Sequence, residues 1–396
     1  MSRSAPARLA AVADTRLDDT PSQWVVPLSD VLVDLAIERA AAEAIRSGWW
    51  SMGPRVAEFE ERFAELCETK HSFAVATGTA ALHLALLAVG CGPGDEVLVP
   101  SLNFVAAANT ITHVGATPVF CDVVGTDDFT VSPTDLEAAV SPRTRAIMVM
   151  DYGGYACRMD EIDELAERHG LAVIEDAAHA PGGRYRGRPC GSLGAIGCFS
   201  FFANKNLAMG EGGMVVTQDD ALAEQIRLYR SHGMTTLTWD RHRGHASSYD
   251  VVLKGFNYRL DELRAAIGLV ELERLHARNE ARGRIVERYR AALDGVAGIS
   301  MPFATRPEVL AAHHIAVIVL PEGKPRDEVK AAMAAQGVQT SLHYPPIHRF
   351  SAYREQSQRP LPVTDAIGDR VLTLPLFPHL TDAQIAAVID AVLSSV

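Results

Sequence analysis

The sequence predicts a mostly parallel, mixed α/β sheet with helices on both faces, followed by a smaller α+β unit. Three observations predict it. From about residue 25 to 250, short β-branched runs alternate with longer helical patterns, the rhythm of a parallel sheet with helical crossovers. Several of those runs are apolar almost throughout, as strands covered on both faces must be. Beyond Asp261 the rhythm changes to one long helical stretch and then a mixed remainder. Length agrees, since 396 residues exceed one average core and fall short of three.

Taken in order, strands are predicted at Phe73–Thr77, Glu96–Pro100, Pro118–Val123, Ala146–Asp151, Leu171–Asp176, Gly197–Phe201 and Met214–Thr217. Helical patterns fall at Ala80–Val89, Phe104–Val114 and Asp160–Gly170, with Asp220–Ser231 after the last strand. In the second part, apolar residues at helical spacing run over Leu260–Ala277 and continue through Arg284–Leu293, as one long helix or a broken pair. His314–Leu320 then reads as a strand, Pro325–Gln336 as a helix, and Asp382–Val396 as a closing helix that Thr381 caps. The expected organisation is a polar tail over residues 1–25, a large domain over 26–260, and a linking helix with a small domain over 261–396. No repeat and no low-complexity linker divides the chain.

Composition narrows the function classes. Hydrophobic residues make up 48% and charged residues 22%, which excludes disordered, collagen-like and coiled-coil chains. Lys and Arg number 37 against 49 Asp and Glu, a formal charge of −12. Such a chain lacks the cationic excess that neutralises nucleic-acid phosphates, although local pockets can still take small ones. The six cysteines are scattered without a CxxC pair and read as reduced thiols, not a disulfide framework or zinc site. His242 and His245 have HxxH spacing but no third ligand; the segment reads as a solvated loop, and no metal site is expected. The N-terminal residues lack an uninterrupted apolar run. The most apolar stretch, residues 72–91, holds His83, two Thr and two Gly, so it reads as strand, turn and buried helix, not a membrane span. A cytoplasmic protein is expected.

Three pieces of sequence carry chemistry. Leu171–Asp176 (LAVIED) ends a buried strand on an acid, at the strand end where parallel sheets bind ligands. Alone, Asp176 reads equally well as a helix cap or half of an ion pair. In Gly197–Gly213 (GCFSFFANKNLAMGEGG) a strand ends at Ser200 and Lys205 follows in a glycine-punctuated loop. A lone loop lysine is ordinarily a solvated charge. Amid Phe199, Phe201 and Phe202, however, a desolvated amine has a lowered pKa and becomes a nucleophile toward carbonyls. Third, in Thr77-Gly78-Thr79-Ala80-Ala81-Leu82 a strand turns directly into a helix, whose free N–H groups make a phosphate seat. Neither a Walker A loop nor a GxGxxG motif is present. Together a phosphate seat, an acid and an amine at sheet ends meet the needs of pyridoxal phosphate.

The chain resembles the DegT/DnrJ/StrS family of nucleotide-sugar aminotransferases, which have the fold-type-I aspartate-aminotransferase architecture. Ordered blocks carry the resemblance: GWWSMGPRVAEFEERFAE (48–65), TGTAALHLALLAVGCGPGDEVLVPSLNFVAAANTI (77–111), IEDAAHAPGGRYRGRPCGSLGAIGCFSF (174–201), NKNLAMGEGGMVVT (204–217), GFNYRLDELRAAIG (255–268) and LPLFPHLTD (374–382).

The resemblance implies that Lys205 forms the Schiff base with pyridoxal phosphate, Asp176 pairs with its ring nitrogen, and His179 lies near its phenolic oxygen. Phe104 and Ala178 would cover the two ring faces, and Gly78, Thr79, Ala80 and Ser200 would surround the phosphate. Asn257 would reach the phosphate of a neighbouring subunit's cofactor, implying a homodimer with shared sites. The implied reaction moves an amino group from glutamate or glutamine to the keto group of a nucleotide-linked deoxysugar. Alternatives are a dehydratase or lyase of the same family and a transaminase of a free ketocyclitol. A dehydrating variant has histidine where this chain has Lys205, which favours transamination. Arg259, His343 and Tyr344 are candidate contacts to the acceptor. One departure stands out: the family commonly reads His-x-Tyr-Gly where this chain reads Asp151-Tyr152-Gly153-Gly154, putting an acid near the expected sugar side.

Overall fold

A computed structural model describes residues 24–236, 248–356 and 359–396. The polar tail up to residue 23, together with His242 and His245, lies outside the described residues. In chain order the strands of the first part are β1 (His71–Val75), β2 (Glu96–Pro100), β3 (Thr117–Cys121), β4 (Thr144–Met150) and β5 (Ala172–Asp176). A two-rung hairpin follows, β6 (Arg184–Tyr185) and β7 (Arg188–Pro189), and then β8 (Ile196–Ser200) and β9 (Gly213–Thr217). Seven of them form one sheet in the order β1-β9-β8-β5-β4-β2-β3. Neighbours pair in parallel except β9, which is antiparallel to both β1 and β8. The exception has a simple cause. No helix separates β8 from β9, and a return without a crossover leaves only an antiparallel neighbour. The loop that makes this return carries Lys205.

Strand side chains alternate between two cores, as the period of 2 requires. Leu98, Ile147, Val149 and Phe199 point to one face with Phe59 and Phe63. Val97, Val99, Ala146, Met148 and Ile174 point to the other, against Leu82 and Leu86. The second face is closed by the helix Gly78–Ala88, whose residues Ala80–Leu86 are all buried. Burying each large apolar side chain in these layers contributes roughly 1.5–3 kcal/mol.

The second part begins with a single unbroken helix, Glu262–Leu293. Gly283 falls between the two helical patterns read from the sequence, yet it does not break the helix. An added Cβ there would meet the His313 ring at 3.1 Å, so the glycine permits close packing. A short strand β10 (Val309–Leu310) pairs with β6, and β11 (Ala316–Val319) pairs antiparallel with β12 (Val371–Leu374). Helices Arg326–Ala335 and Asp382–Ser395 cover that pair; Thr381 caps the latter in a reciprocal box with Gln384. Tyr289, Ile318, Met333, Leu372 and Val392 form this core, and Val26 packs into it from the N-terminal side.

Predicted strands and helices agree with the observed ones to within a few residues. The helices Leu35–Arg46, Pro54–Cys67, Pro133–Ala139 and Pro362–Gly368 and the strands β6, β7, β10 and β12 have no counterpart among the elements the sequence predicts. Leu35–Arg46 has an N-cap, Asp34, bonded to the Ala36 and Ile37 N–H groups.

Candidate active site

The three chemical pieces converge on one cavity of about 400 Å³ at the carboxyl ends of the parallel strands. Asp176 ends β5, Ser200 ends β8, and β1 leads into the helix Gly78–Ala88. Gly78, Thr79, Phe104, Asp176, Ala178, His179, Ser200, Lys205, His343 and Tyr344 all border this space. Ala80 lies one step inside the helix: its N–H is taken by the Thr77 hydroxyl at 3.1 Å. The Gly78 and Thr79 amides are thus the unbonded donors of that first turn. Gly78 is required by close approach, because a Cβ there would sit 2.7 Å from Ser200 Cβ. Asn257 and Arg259 do not border the cavity within one chain. Their segment runs past the sheet edge, bridging Ser231 and Val75.

Burial and mutual charge set the protonation of the site. Loss of solvent lowers the Lys205 pKa to about 8, opposed by the negative charge of Asp176. Burial raises Asp176 to about 6, opposed by Lys205 and by the Ala178 N–H, which donates to Asp176 Oδ1 at 3.2 Å. Three imidazoles face the lysine. Burial and the Lys205 charge hold His343 down at about 4 and push His179 and His314 well below their usual value, so all three rings are neutral at pH 7.

His314, Asn206 and Asn279 escaped the sequence reading. Asn206, the neighbour of Lys205, donates to Asn279 Oδ1 at 2.8 Å and to the Ala312 carbonyl at 2.7 Å. Its own oxygen lies 2.9 Å from His314 Nδ1. The His314 ring packs tilted at 45° against His179, their centroids 4.1 Å apart. This network ties the lysine loop to the long helix and to the segment entering β11. The sequence signal was the His313-His314 doublet just before that strand.

Asp151 corrects an expectation. The sequence reading put it near the sugar side, but its side chain is fully buried and does not border the cavity. Asp151 Oδ1 accepts the Cys157 N–H at 3.1 Å, and the carboxyl lies against Glu175 and Cys190. Glu175 is itself fully buried and accepts the N–H groups of Gly191 and Leu193. Burial and the Glu175 charge raise Asp151 well above the ordinary carboxylate range, so Asp151 holds its proton. An acid with a raised folded-state pKa stabilises the fold fully only below its unfolded pKa, and that contribution is lost as pH rises. Asp151→Asn is therefore expected to stabilise the protein at pH 7, with the gain shrinking toward pH 4. Unfolding curves at both pH values check this; a difference independent of pH refutes the protonated acid.

The residues present fit pyridoxal phosphate. The cavity has unbonded helix-terminal amides beside a hydroxyl, a buried acid, and an amine of lowered pKa. Comparison with known proteins agrees. The sequence model of the DegT/DnrJ/EryC1/StrS aminotransferase family matches residues 33–393. The chain is 40% identical over 375 residues to the spore coat polysaccharide biosynthesis protein SpsC of Bacillus subtilis (strain 168), covering 93% of this chain and 96% of that one. Among solved structures, the aminotransferase TlmJ from Streptoalloteichus hindustanus superposes with a TM-score of 0.87 at 33% identity, covering 93% of this chain and 98% of TlmJ. DesV of S. venezuelae, solved in complex with a ketimine intermediate, gives a TM-score of 0.82 at 38% identity, covering 90% and 93%.

Proposed function

The chain belongs to the DegT/DnrJ/EryC1/StrS aminotransferase family, and from that premise we propose that it moves an amino group from glutamate or glutamine to the keto group of a nucleotide-linked deoxysugar. It is an aminotransferase with the fold-type-I architecture, and its family depends on pyridoxal phosphate. The observation that carries the reading is the convergence of Lys205, Asp176 and the helix start at Gly78 on one cavity. The name of SpsC, a protein of polysaccharide biosynthesis, supports a sugar acceptor.

When bound, the cofactor supplies an aldehyde that takes up the amino group and a ring that accepts the electrons left when the donor's α-proton departs. The chain's own residues do the rest. Lys205 Nζ would hold the aldehyde at rest and, once freed, would accept the donor's α-proton and later give it back as general acid. A positioned proton carrier of this kind is worth roughly 10²–10⁴ in rate. Asp176 would keep the ring nitrogen protonated, and Phe104 and Ala178 would confine the ring. Thr79, Ser200 and the first-turn amides hold the phosphate. His343 and Tyr344 are assigned to the acceptor in their own cavity, and Arg259, like Asn257, to the site of a second copy, where a guanidinium suits the acceptor's diphosphate.

The working unit in this proposal is a cytoplasmic homodimer. Asn257 lies away from its own cavity, which suits a residue that completes the site of a second copy. Exposed apolar side chains at Val31, Leu32, Val33, Leu35 and Trp50 support an interface between copies.

The test is a panel of keto-sugar nucleotides offered to the pyridoxamine form, with product mass read out. Transamination leaves an amino group on the sugar. Loss of an oxygen without gain of nitrogen favours the dehydratase, and reaction of only a free ketocyclitol removes the nucleotide from the proposal.

A further inference from the structure

Resting on that reading, the geometry points to Tyr344 as a hydrogen-bond donor to an acceptor oxygen of the bound cofactor or of the keto sugar, with His179 as the positioning residue that aims it. The tautomer of His179 decides which group donates. The Gly153 N–H donates to His179 Nδ1 at 3.3 Å, so that nitrogen presents its lone pair. A neutral imidazole with an accepting Nδ1 carries its proton on Nε2. His179 is neutral, because burial and the positive charge of Lys205 oppose its protonation.

Nε2 lies 2.8 Å from Tyr344 Oη. The Nε2–H therefore donates and the phenol oxygen accepts. Tyr344 keeps its own hydroxyl proton out of that bond. With the other tautomer the ring would accept from Tyr344, and the hydroxyl would have nothing left to give.

The hydroxyl belongs to a ring that borders the same cavity as Lys205 and Asp176. Burial holds the Tyr344 pKa well above its ordinary value, so Tyr344 donates throughout the working pH range. Its placement is restrained on several sides. The Phe104 ring stands 5.7 Å away, and the Tyr152 hydroxyl donates to the carbonyl of the preceding residue, His343. His179 is in turn packed against His314 at 4.1 Å, which is tied to Asn206 beside Lys205. A phenol proton in such a place takes an oxygen: a phenolate, a carbonyl or a sugar hydroxyl.

Two measurements test this. The first uses the full-length protein without cofactor, labelled with ¹⁵N-histidine, with the His179 signals assigned through His179→Gln. Long-range ¹H–¹⁵N correlation is expected to show the proton on Nε2; a proton on Nδ1 overturns the proposal. The second compares Tyr344→Phe with wild type in titrations with pyridoxal phosphate and in KM for the keto sugar. A rise of about ten-fold in Kd, the size of one lost hydrogen bond, assigns the oxygen to the cofactor. An unchanged Kd with a KM raised about ten-fold assigns it to the sugar. Both unchanged overturns the proposal. His179→Gln, which keeps an N–H donor, should retain what His179→Leu loses. Failure of wild type to bind pyridoxal phosphate would sink the aminotransferase reading instead. If Tyr344→Phe does not fold, the tautomer decides alone.

Discussion

Lys205→Ala is expected to lower turnover by a factor of at least roughly 10²–10⁴ and to abolish borohydride trapping of pyridoxal phosphate on the chain. Lys205 is the lysine that borders the cavity; Lys70 and Lys254 are exposed, and Lys324 and Lys330 are half-buried elsewhere. Its lowered pKa of about 8 gives the prediction a second arm. Only the neutral amine attacks an aldehyde. In the wild-type protein without cofactor, the trapping rate should therefore rise with pH and level off above about 8, where an ordinary lysine keeps rising toward 10.4. Peptide mapping that finds the label at another lysine refutes the assignment, as does retained turnover in the variant.

The sign of the stability change separates chemistry from misfolding. A base with a depressed folded-state pKa favours the unfolded chain as pH falls through that pKa. Alanine removes this penalty, and the loop keeps its backbone bond from the residue 205 N–H to the Phe202 carbonyl. The melting temperature of Lys205→Ala at pH 7 should match or exceed that of the wild type. An inactive variant that melts much lower reports a broken loop instead.

What the sequence made legible about this site is what local chemistry determines. Asp176 and Ser200 could be placed because each ends an apolar run, and Gly78–Thr79 because a strand passes directly into a helix there. Lys205 stood out through its phenylalanine neighbours and the glycines after it. The Asn206–Asn279–His314 network was invisible for the opposite reason. Its partners lie 73 and 108 residues from Asn206, and no periodicity links them. Asp151 was misplaced because a residue's position at a strand end does not say which way its side chain turns. The bond from Cys157 N–H draws it into the core beside Glu175. The tautomer of His179 likewise depends on one amide from a turn far away in the chain.

Asp176→Asn is expected to lower kcat by about 10²–10³, the loss seen when one preorganised electrostatic partner is removed, and to weaken pyridoxal phosphate binding about 10–100-fold, the equivalent of a charge-assisted hydrogen bond. The asparagine keeps the shape and still accepts from the Ala178 N–H. What disappears is the negative charge that holds the ring nitrogen protonated. Without cofactor the charge is a cost to the fold: burial raises Asp176 to about 6 against Lys205. An acid with a raised folded pKa loses its stabilising contribution as pH climbs from its ordinary value of 3.8 through about 6. The variant without cofactor should therefore melt higher than wild type above pH 6, and the two should converge toward pH 4. With pyridoxal phosphate the order reverses, because wild type gains more from binding. A carboxylate that merely capped the turn at Ala178 would lower the melting temperature in both states alike. Opposite signs with and without cofactor are the mark of a charge maintained for the ligand at the expense of the fold.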